Sequence, residues 1–397
     1  MPNVSPSGGP QVLIVGVSTR AMAESASRAG YAVTTLDAFG DLDQHAGVRA
    51  LSLPRDFGVA FSADAVARVA SDISCDAVAY LSPFENHPHA AARLGSGRSL
   101  WGNTPSVLER VRDPVVLANI LTRAGLVVPD VRVGVAPLAL EDAVHDWLVK
   151  PRASGGGHDV HRWQSAEAVP RASYLQRFID GVPGSVVFAA ARGQCVVLGL
   201  TMQLVGDAAF GASGFRYCGN ILVPAGDAAF ARDDDLFAAA RELAGTVTRE
   251  IDLVGVNGVD VVARDGIPFP IEVNPRYSAS MELIEQAYGV SIFAVHAAAC
   301  LHGELPTFDL ERARTTGAAY GKAIVFARHD VTCGDTRAWL DDPTVRDVPH
   351  PDEHIPAGRP VCTVFARGAT VAECHAALVK RAEAVYVALD SWAGAGV

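Results

Sequence analysis

Gly258-Val259-Asp260-Val261-Val262-Ala263-Arg264-Asp265-Gly266-Ile267-Pro268-Phe269-Pro270-Ile271-Glu272-Val273-Asn274-Pro275-Arg276 reads as a β-hairpin. Val259 to Ala263 is apolar and mostly β-branched, Asp265-Gly266 is a turn dipeptide, and Phe269 to Val273 resumes the strand pattern. Alternate side chains of a strand share a face, so Glu272 and Asn274 point the same way and Asp260 can oppose them on the paired strand. Two carboxylates and one amide oxygen form an oxygen-only set, the donor chemistry Mg²⁺ accepts while it holds nucleotide phosphates. Arg276 keeps the same phase and can add a cation beside the metal. A hairpin with a wet polar face shows the same alternation, which is normal for a sheet covered on one side. Asn274-Pro275-Arg276 weighs against that reading, because proline stops the ladder at the end of an apolar strand.

Upstream, Trp147 to Lys150 is a short strand that runs into Pro151-Arg152-Ala153-Ser154-Gly155-Gly156-Gly157-His158. Asp159 to Trp163 is the expected return strand. Three glycines let backbone N–H groups approach a phosphate without Cβ interference, and Lys150 can lie along the phosphates as a point charge. A flexible turn would carry the same glycines. Ser185 to Ala190 and Gln194 to Met202 read as an antiparallel pair. Gly206 to Gly219 is a glycine-rich loop of the kind that serves as a lid, and it holds Arg216 and Tyr217, either of which could hold a substrate carboxylate. Asp233 to Ile251 is a strong amphipathic helix.

The chain opens with a β-α-β pattern: Gln11 to Val17, an Ala-rich helix closed by Gly30, and Tyr31 to Leu36. That predicts a parallel sheet. Gly16 stands without a Gly-x-Gly-x-x-Gly run, so a nicotinamide oxidoreductase lacks its pyrophosphate seat. The strand Asp76 to Leu81 delivers Ser82-Pro83-Phe84-Glu85-Asn86-His87 at its C-terminal end, where open α/β sheets bind ligands. Glu85 is a candidate for binding a substrate amine there; a polar capping loop is the alternative.

A chain of 397 residues, 49% hydrophobic and 19% charged, predicts two or three domains with ample core. Its net charge of −11 argues against a general nucleic-acid or membrane-surface binder. Pro2, Asn3, Ser5, Gly8 and Gly9 form a polar arm without a signal-peptide pattern, and no run of about twenty apolar residues occurs. Seven cysteines without a Cys-x-x-Cys pair fit buried thiols in a reducing cytoplasm.

Glu-x-Asn-Pro-Arg, twelve positions after the acidic residue of a Gly-Val-Asp strand, resembles the magnesium signature of the ATP-grasp superfamily. Lys150 with its glycine loop, and Tyr174 to Gly181, which resembles the family's adenine-binding hinge, stand upstream in family order. The resemblance implies a Rossmann-like α/β domain over 1–105, then an ATP-grasp domain over 106–314 with α+β subdomains of about 106–175 and 176–314. A small C-terminal α+β unit over 315–397 would follow. It implies an ADP-forming carboxylate–amine ligase that uses ATP and Mg²⁺ through an acyl phosphate. Arg276 and Lys150 would be catalytic, and Asp260, Glu272 and Asn274 would hold the metal. Lys150, Gly155, Gly156, Gly157, His158, Gln176, Arg177, Ile179 and Val262 would bind ATP. The partners implied are a small carboxylate, such as glutamate, and an amine, since tyramine–glutamate ligase-like and biotin-carboxylase-like members are similar; a homodimer is compatible. No Met-Lys-Met biotin site is present. Two departures stand out. Val111-Arg112-Asp113-Pro114 lacks the family's second lysine, which Arg112 could replace, and Gly181 to Ser185 lacks the acidic ribose contact. A degenerate nucleotide-binding protein without ligase activity is the alternative that these departures raise.

Overall fold

The computed structural model describes residues 9–134, 146–164, 168–315 and 317–394; the polar arm up to Gly8 lies outside them. The apolar runs near the N-terminus form five short strands: β1 (Gln11–Val15), β2 (Ala32–Asp37), β3 (Val48–Ser52), β4 (Ala77–Tyr80) and β5 (Ser99–Trp101). They pair parallel in the order β3-β2-β1-β4-β5, with helices as crossovers. Val12 to Val15 are buried without alternation, as expected for a sheet covered on both faces. The turn that carries Glu85 leaves the C-terminal end of β4, as the sequence predicts.

A second sheet has the order β6-β9-β7-β8, from β6 (Val131–Arg132), β7 (Trp147–Pro151), β8 (His161–Arg162) and β9 (Ser173–Arg177). Lys150 sits in β7 opposite Tyr174 of β9, and the glycine loop joins β7 to β8. The return strand is shorter than Asp159 to Trp163 because Asp159 takes φ 59°, outside extended backbone.

The remaining long strands build one antiparallel sheet. They are β10 (Val182–Ala191), β11 (Gln194–Val205), β12 (Tyr217–Leu222), β13 (Gly255–Arg264), β14 (Ile267–Asn274) and β15 (Ala319–Phe326). After a two-stranded ribbon of β16 (Val331–Thr332) and β18 (His354–Ile355), β17 (Val345–Arg346) and β19 (Pro360–Gly368) complete it. The order is β14-β13-β10-β11-β12-β15-β19-β17. The hairpin read from the sequence is its edge. Asp265 at φ 53° and Gly266 at φ 80° make the turn with both central residues left-handed, which matches strand twist. The loop after β11 ends at Arg216, since Tyr217 already pairs in β12. Of the strands beyond residue 315, β15, β19 and β17 continue this sheet, because β15 is apolar enough to be buried between β12 and β19.

The helix Asp233–Ile251 lays Leu236, Phe237, Ala240, Leu243 and Val247 on one side of the sheet. Each of these side chains except Ala240 contributes roughly 1.5–3 kcal/mol on burial. On the other side, the helices Ala279–Tyr288 and Ile292–His302 lie between this sheet and the parallel one, with Met281, Leu283, Ile284 and Phe293 sharing a core with Val12, Ile14 and Trp101. Among the described residues no single helix is long and apolar enough to cross a membrane, although these two pass that test together as a pair bent by 109°.

Candidate active site

The second sheet and the large antiparallel sheet leave a cavity of about 320 Å³ between β7 and β9 on one side and β10 to β14 on the other. Its lining is set by strand alternation. Asp260 pairs with Glu272 and Gly258 with Asn274 across the hairpin, so the three oxygen-bearing side chains converge, and a bulge after Asp260 shifts the register beyond them. Asn274 Nδ2 donates to Asp260 Oδ2 at 2.9 Å, and Gln203 Nε2 donates to Asp260 Oδ1 at 2.9 Å. Burial pushes the Asp260 carboxyl up to about 6, and the neighbouring Glu272 adds to this against hydrogen bonds from Ser185 and Asn274. Across the cavity, Lys150 Nζ donates to Gln176 Oε1 at 3.0 Å and to the Ile271 carbonyl at 3.3 Å.

Arg276 joins these groups to the parallel sheet. Its Nη2 donates to Glu85 Oε1 at 2.6 Å and to Asn274 Oδ1 at 3.1 Å, and its Nη1 donates to the Tyr277 carbonyl. The Glu85 side chain is fully buried. Burial alone would raise its pKa, but the guanidiniums of Arg276 and Arg112 outweigh that and hold it below the usual carboxylate range.

The glycine loop closes over one end of this space. Gly156 and Gly157 take φ 63° and 72°, and the Gly156 carbonyl accepts from the Tyr217 N–H at 3.0 Å. A Cβ on Gly157 would stand 1.8 Å from the Phe215 carbonyl oxygen. The loop is therefore seated on the segment before β12, and only glycine permits so close an approach.

Lys150, Gly156, Gly157, Gln176, Arg177, Ile179, Tyr217, Asp260, Val262, Glu272, Asn274 and Arg276 all line the cavity. Four expected site residues do not. His158 is exposed on the outer turn of the loop, and Gly155 lies behind it, with Ser82 its nearest neighbour. Arg216 turns away: its Nη1 donates to the Gly358 carbonyl at 2.9 Å and its guanidinium lies over the Phe326 ring. Glu85 is buried behind Arg276, because a carboxylate at that depth needs a paired cation, so it cannot meet a substrate amine directly. Arg112, the candidate replacement for the second lysine, does not line this cavity. It is paired with Glu272 and donates to the Ser154 carbonyl at 3.0 Å. Sequence reading missed Ser185, Gln203, Asn220, Ser278 and Ser280, which add polar groups to the lining. For Ser185 and Gln203 a signal existed, since a polar side chain in a long apolar strand has to face something polar.

The donor set suits a hard cation. It offers carboxylate and amide oxygens and no sulfur or imidazole, and among the described residues no group of three His, Cys, Asp or Glu gathers to hold a metal by itself. Two carboxylates and an amide leave coordination to be completed by phosphate oxygens. A family profile described as the ATP-grasp domain matches residues 111–280, a span that runs from the Arg112 helix through the hairpin to Ser280. Residues 111–280 carry an ATP-grasp domain. A 118-residue stretch is 32% identical to the carbamoyl phosphate synthase large chain of Halobacterium salinarum, covering 30% of this chain and only 10% of that one. The ATP-grasp architecture extends well beyond the profile. An L-amino acid ligase from Bacillus licheniformis superimposes with a TM-score of 0.65 at 17% identity, over 96% of this chain and 98% of that one. The biotin carboxylase domain of Hydrogenobacter thermophilus 2-oxoglutarate carboxylase, solved with MgADP and bicarbonate, gives 0.65 at 13% identity over 90% and 86%.

Proposed function

We propose that this ATP-grasp chain is an ADP-forming ligase that joins a small-molecule carboxylate to an amine through an acyl phosphate, using ATP and Mg²⁺. The observation that carries this reading is the facing of Lys150 against Asp260, Glu272, Asn274 and Arg276 across one cavity. Leu148, Phe178, Ile179 and Val262 give its inner end an apolar wall for adenine, beside the backbone of Gln176 and Arg177. Lys150 and the amides of the glycine loop hold the phosphates. A divalent ion on Asp260, Glu272 and Asn274 supplies charge that offsets the β- and γ-phosphate oxygens when bound.

Attack by the substrate carboxylate brings two anions together, so cations must fix the geometry. The carboxylate oxygen bonds to the γ-phosphorus as the bond to the β–γ bridging oxygen breaks, and ADP leaves with that electron pair. Arg276, held by Glu85, steadies the transferred phosphoryl group. The amine then attacks the acyl carbon, expels inorganic phosphate and gives up a proton. Tyr217, Ser278 and Ser280 line the cavity around this point and frame the acceptor. An amino acid such as glutamate fits the carboxylate role. Residues 106–314 would form the catalytic clasp, and residues 1–105 would supply Glu85 and close the substrate side.

ADP release, measured while pairs of amino acids and amines are supplied, tests the reading. A productive pair should depend on Glu272, with Glu272→Ala lowering turnover at least about a hundredfold. Tight ATP binding without ADP from any pair would leave a nucleotide-binding protein and remove the ligase.

A further inference from the structure

Arg112 is the last residue of the helix Pro105–Arg112, and Asp113 immediately caps the next helix by accepting from the Val115 and Val116 N–H groups. The junction fixes where the Arg112 side chain starts, and 12% exposure shows that it runs inward. Its two Nη atoms go to different elements. Nη1 donates to Glu272 Oε1 and, at 3.4 Å, to the Val273 carbonyl; Nη2 donates to the Ser154 carbonyl at 3.0 Å. Ser154 opens the glycine loop, and its carbonyl also accepts from Asn86 Nδ2 at 3.4 Å. One planar fork thus touches the hairpin carboxylate and the backbone of the loop. A lysine would have to reach both from a single nitrogen, whereas the fork offers one nitrogen to each.

We propose that Arg112 is a positioning residue that couples divalent-cation binding at Glu272 to the placement of the glycine loop over the nucleotide phosphates. This rests on the assignment of Glu272 to the cation. The guanidinium holds Oε1 and leaves Oε2 for the ion, so the carboxylate stands in a fixed rotamer before the ion arrives. The same guanidinium holds the Ser154 carbonyl, so a Glu272 drawn toward the ion carries the loop with it. Cation and loop then share a single guanidinium, and each favours the other by thermodynamic reciprocity. Arg112 acts through Glu272 and Ser154 and touches neither nucleotide nor ion.

Calorimetry with ADP and a non-hydrolysable ATP analogue, each in Mg²⁺ and in EDTA, tests this on the full chain. In the wild type Mg²⁺ should tighten the analogue. In Arg112→Lys and Arg112→Gln that Mg²⁺-dependent gain should fall by about 5-fold or more, the lower range of ordinary coupling between sites. Asn86→Ala removes the other donor to Ser154 and leaves Glu272 its partner, so it should weaken the analogue by the same factor with and without Mg²⁺. A gain unchanged in both Arg112 variants, with the wild-type gain present and melting curves intact, overturns the coupling and spares the cation site. Absence of any Mg²⁺ gain in the wild type removes the cation assignment and the coupling with it.

Discussion

Alanine placed along the glycine loop should separate a seat for phosphates from a merely flexible turn. The three glycines differ in what alanine would meet. At Gly155 the nearest atom to a new Cβ is Ser82 Oγ at 3.9 Å, and the backbone is not left-handed. At Gly156 a Cβ would meet only His158 Cδ2, at an ordinary 3.9 Å, but φ is 63°, which costs an alanine about 1–2 kcal/mol. At Gly157 φ is 72° and the Cβ would press to 1.8 Å from the Phe215 carbonyl oxygen, a backbone atom that cannot swing away. The segment beneath is itself fastened, by the Gly206 N–H to the Arg216 carbonyl at 2.7 Å and by Tyr217 to Gly156. The loop must therefore lift. Lifting removes few buried contacts, so the melting temperature should move little, whereas the binding-competent fraction falls with the full cost. With about 1.4 kcal/mol per tenfold, ATP affinity should be within about twofold of wild type in Gly155→Ala, about tenfold weaker in Gly156→Ala, and weaker by more than about thirtyfold in Gly157→Ala. Titration calorimetry beside a thermal melt reads both quantities. Equal affinities for Gly155→Ala and Gly157→Ala would refute the idea that the seated loop forms the phosphate site.

His296 gives a pH dependence. Its Nδ1 accepts from the Val256 N–H at 3.1 Å, its Nε2 meets the Trp101 carbonyl, and burial drives its pKa down to about 4. The unfolded chain takes this proton near 6.5 while the folded one refuses it until about 4, so stability is present above the first value and lost as pH falls between them. The loss should reach about 3 kcal/mol by the lower end, and urea melts of wild type and His296→Gln over that range should converge in acid. Asn103 is a second structural point. Its side chain donates to the Val254 and Pro275 carbonyls and to Asn257, and accepts from the Val254 N–H. Asn103→Ala should cost about 1–3 kcal/mol in urea unfolding by orphaning buried groups, and should weaken turnover because Pro275 precedes Arg276.

What the sequence disclosed was local. Asp265-Gly266 announced its turn because that geometry demands left-handed residues, and period-two alternation then set Asp260, Glu272 and Asn274 on one face. Lys150 at a strand end was legible for the same reason. Pairings between distant segments were not. Glu85 was visible as a ligand candidate at the edge of a parallel sheet, but its partner Arg276 stands 191 positions away, and no local pattern tells a carboxylate that meets substrate from one that holds an arginine. Arg112 and Glu272 are 160 positions apart. The union of the C-terminal strands with the central sheet escaped likewise, since an apolar strand carries no mark of which neighbour it will choose.

The partners of the cations in the site bear on how it would accept a nucleotide under the proposed function. Arg112 and Arg276 are each matched to a carboxylate, Glu272 and Glu85. Lys150 is held by neutral groups, the Gln176 amide, the Ile271 carbonyl and the face of the Tyr174 ring. A nucleotide triphosphate with its cation is still an anion, and Lys150 can turn to it without stranding a buried charge. Arg276 cannot leave Glu85 so freely, which suits the role proposed for it, to stay in place while a phosphoryl group moves past. The contrast is measurable. Lys150→Met gives up two hydrogen bonds to neutral acceptors, roughly 1–3 kcal/mol at most, and should keep its fold while losing most nucleotide affinity. Arg276→Met leaves Glu85 buried without its counter-charge and should cost about 3–5 kcal/mol in urea unfolding, with Glu85→Gln in the same chain restoring part of it. Equal stability for the two methionine variants would show that Glu85 does not need Arg276, and the account of how the site is held together would fail at that pair.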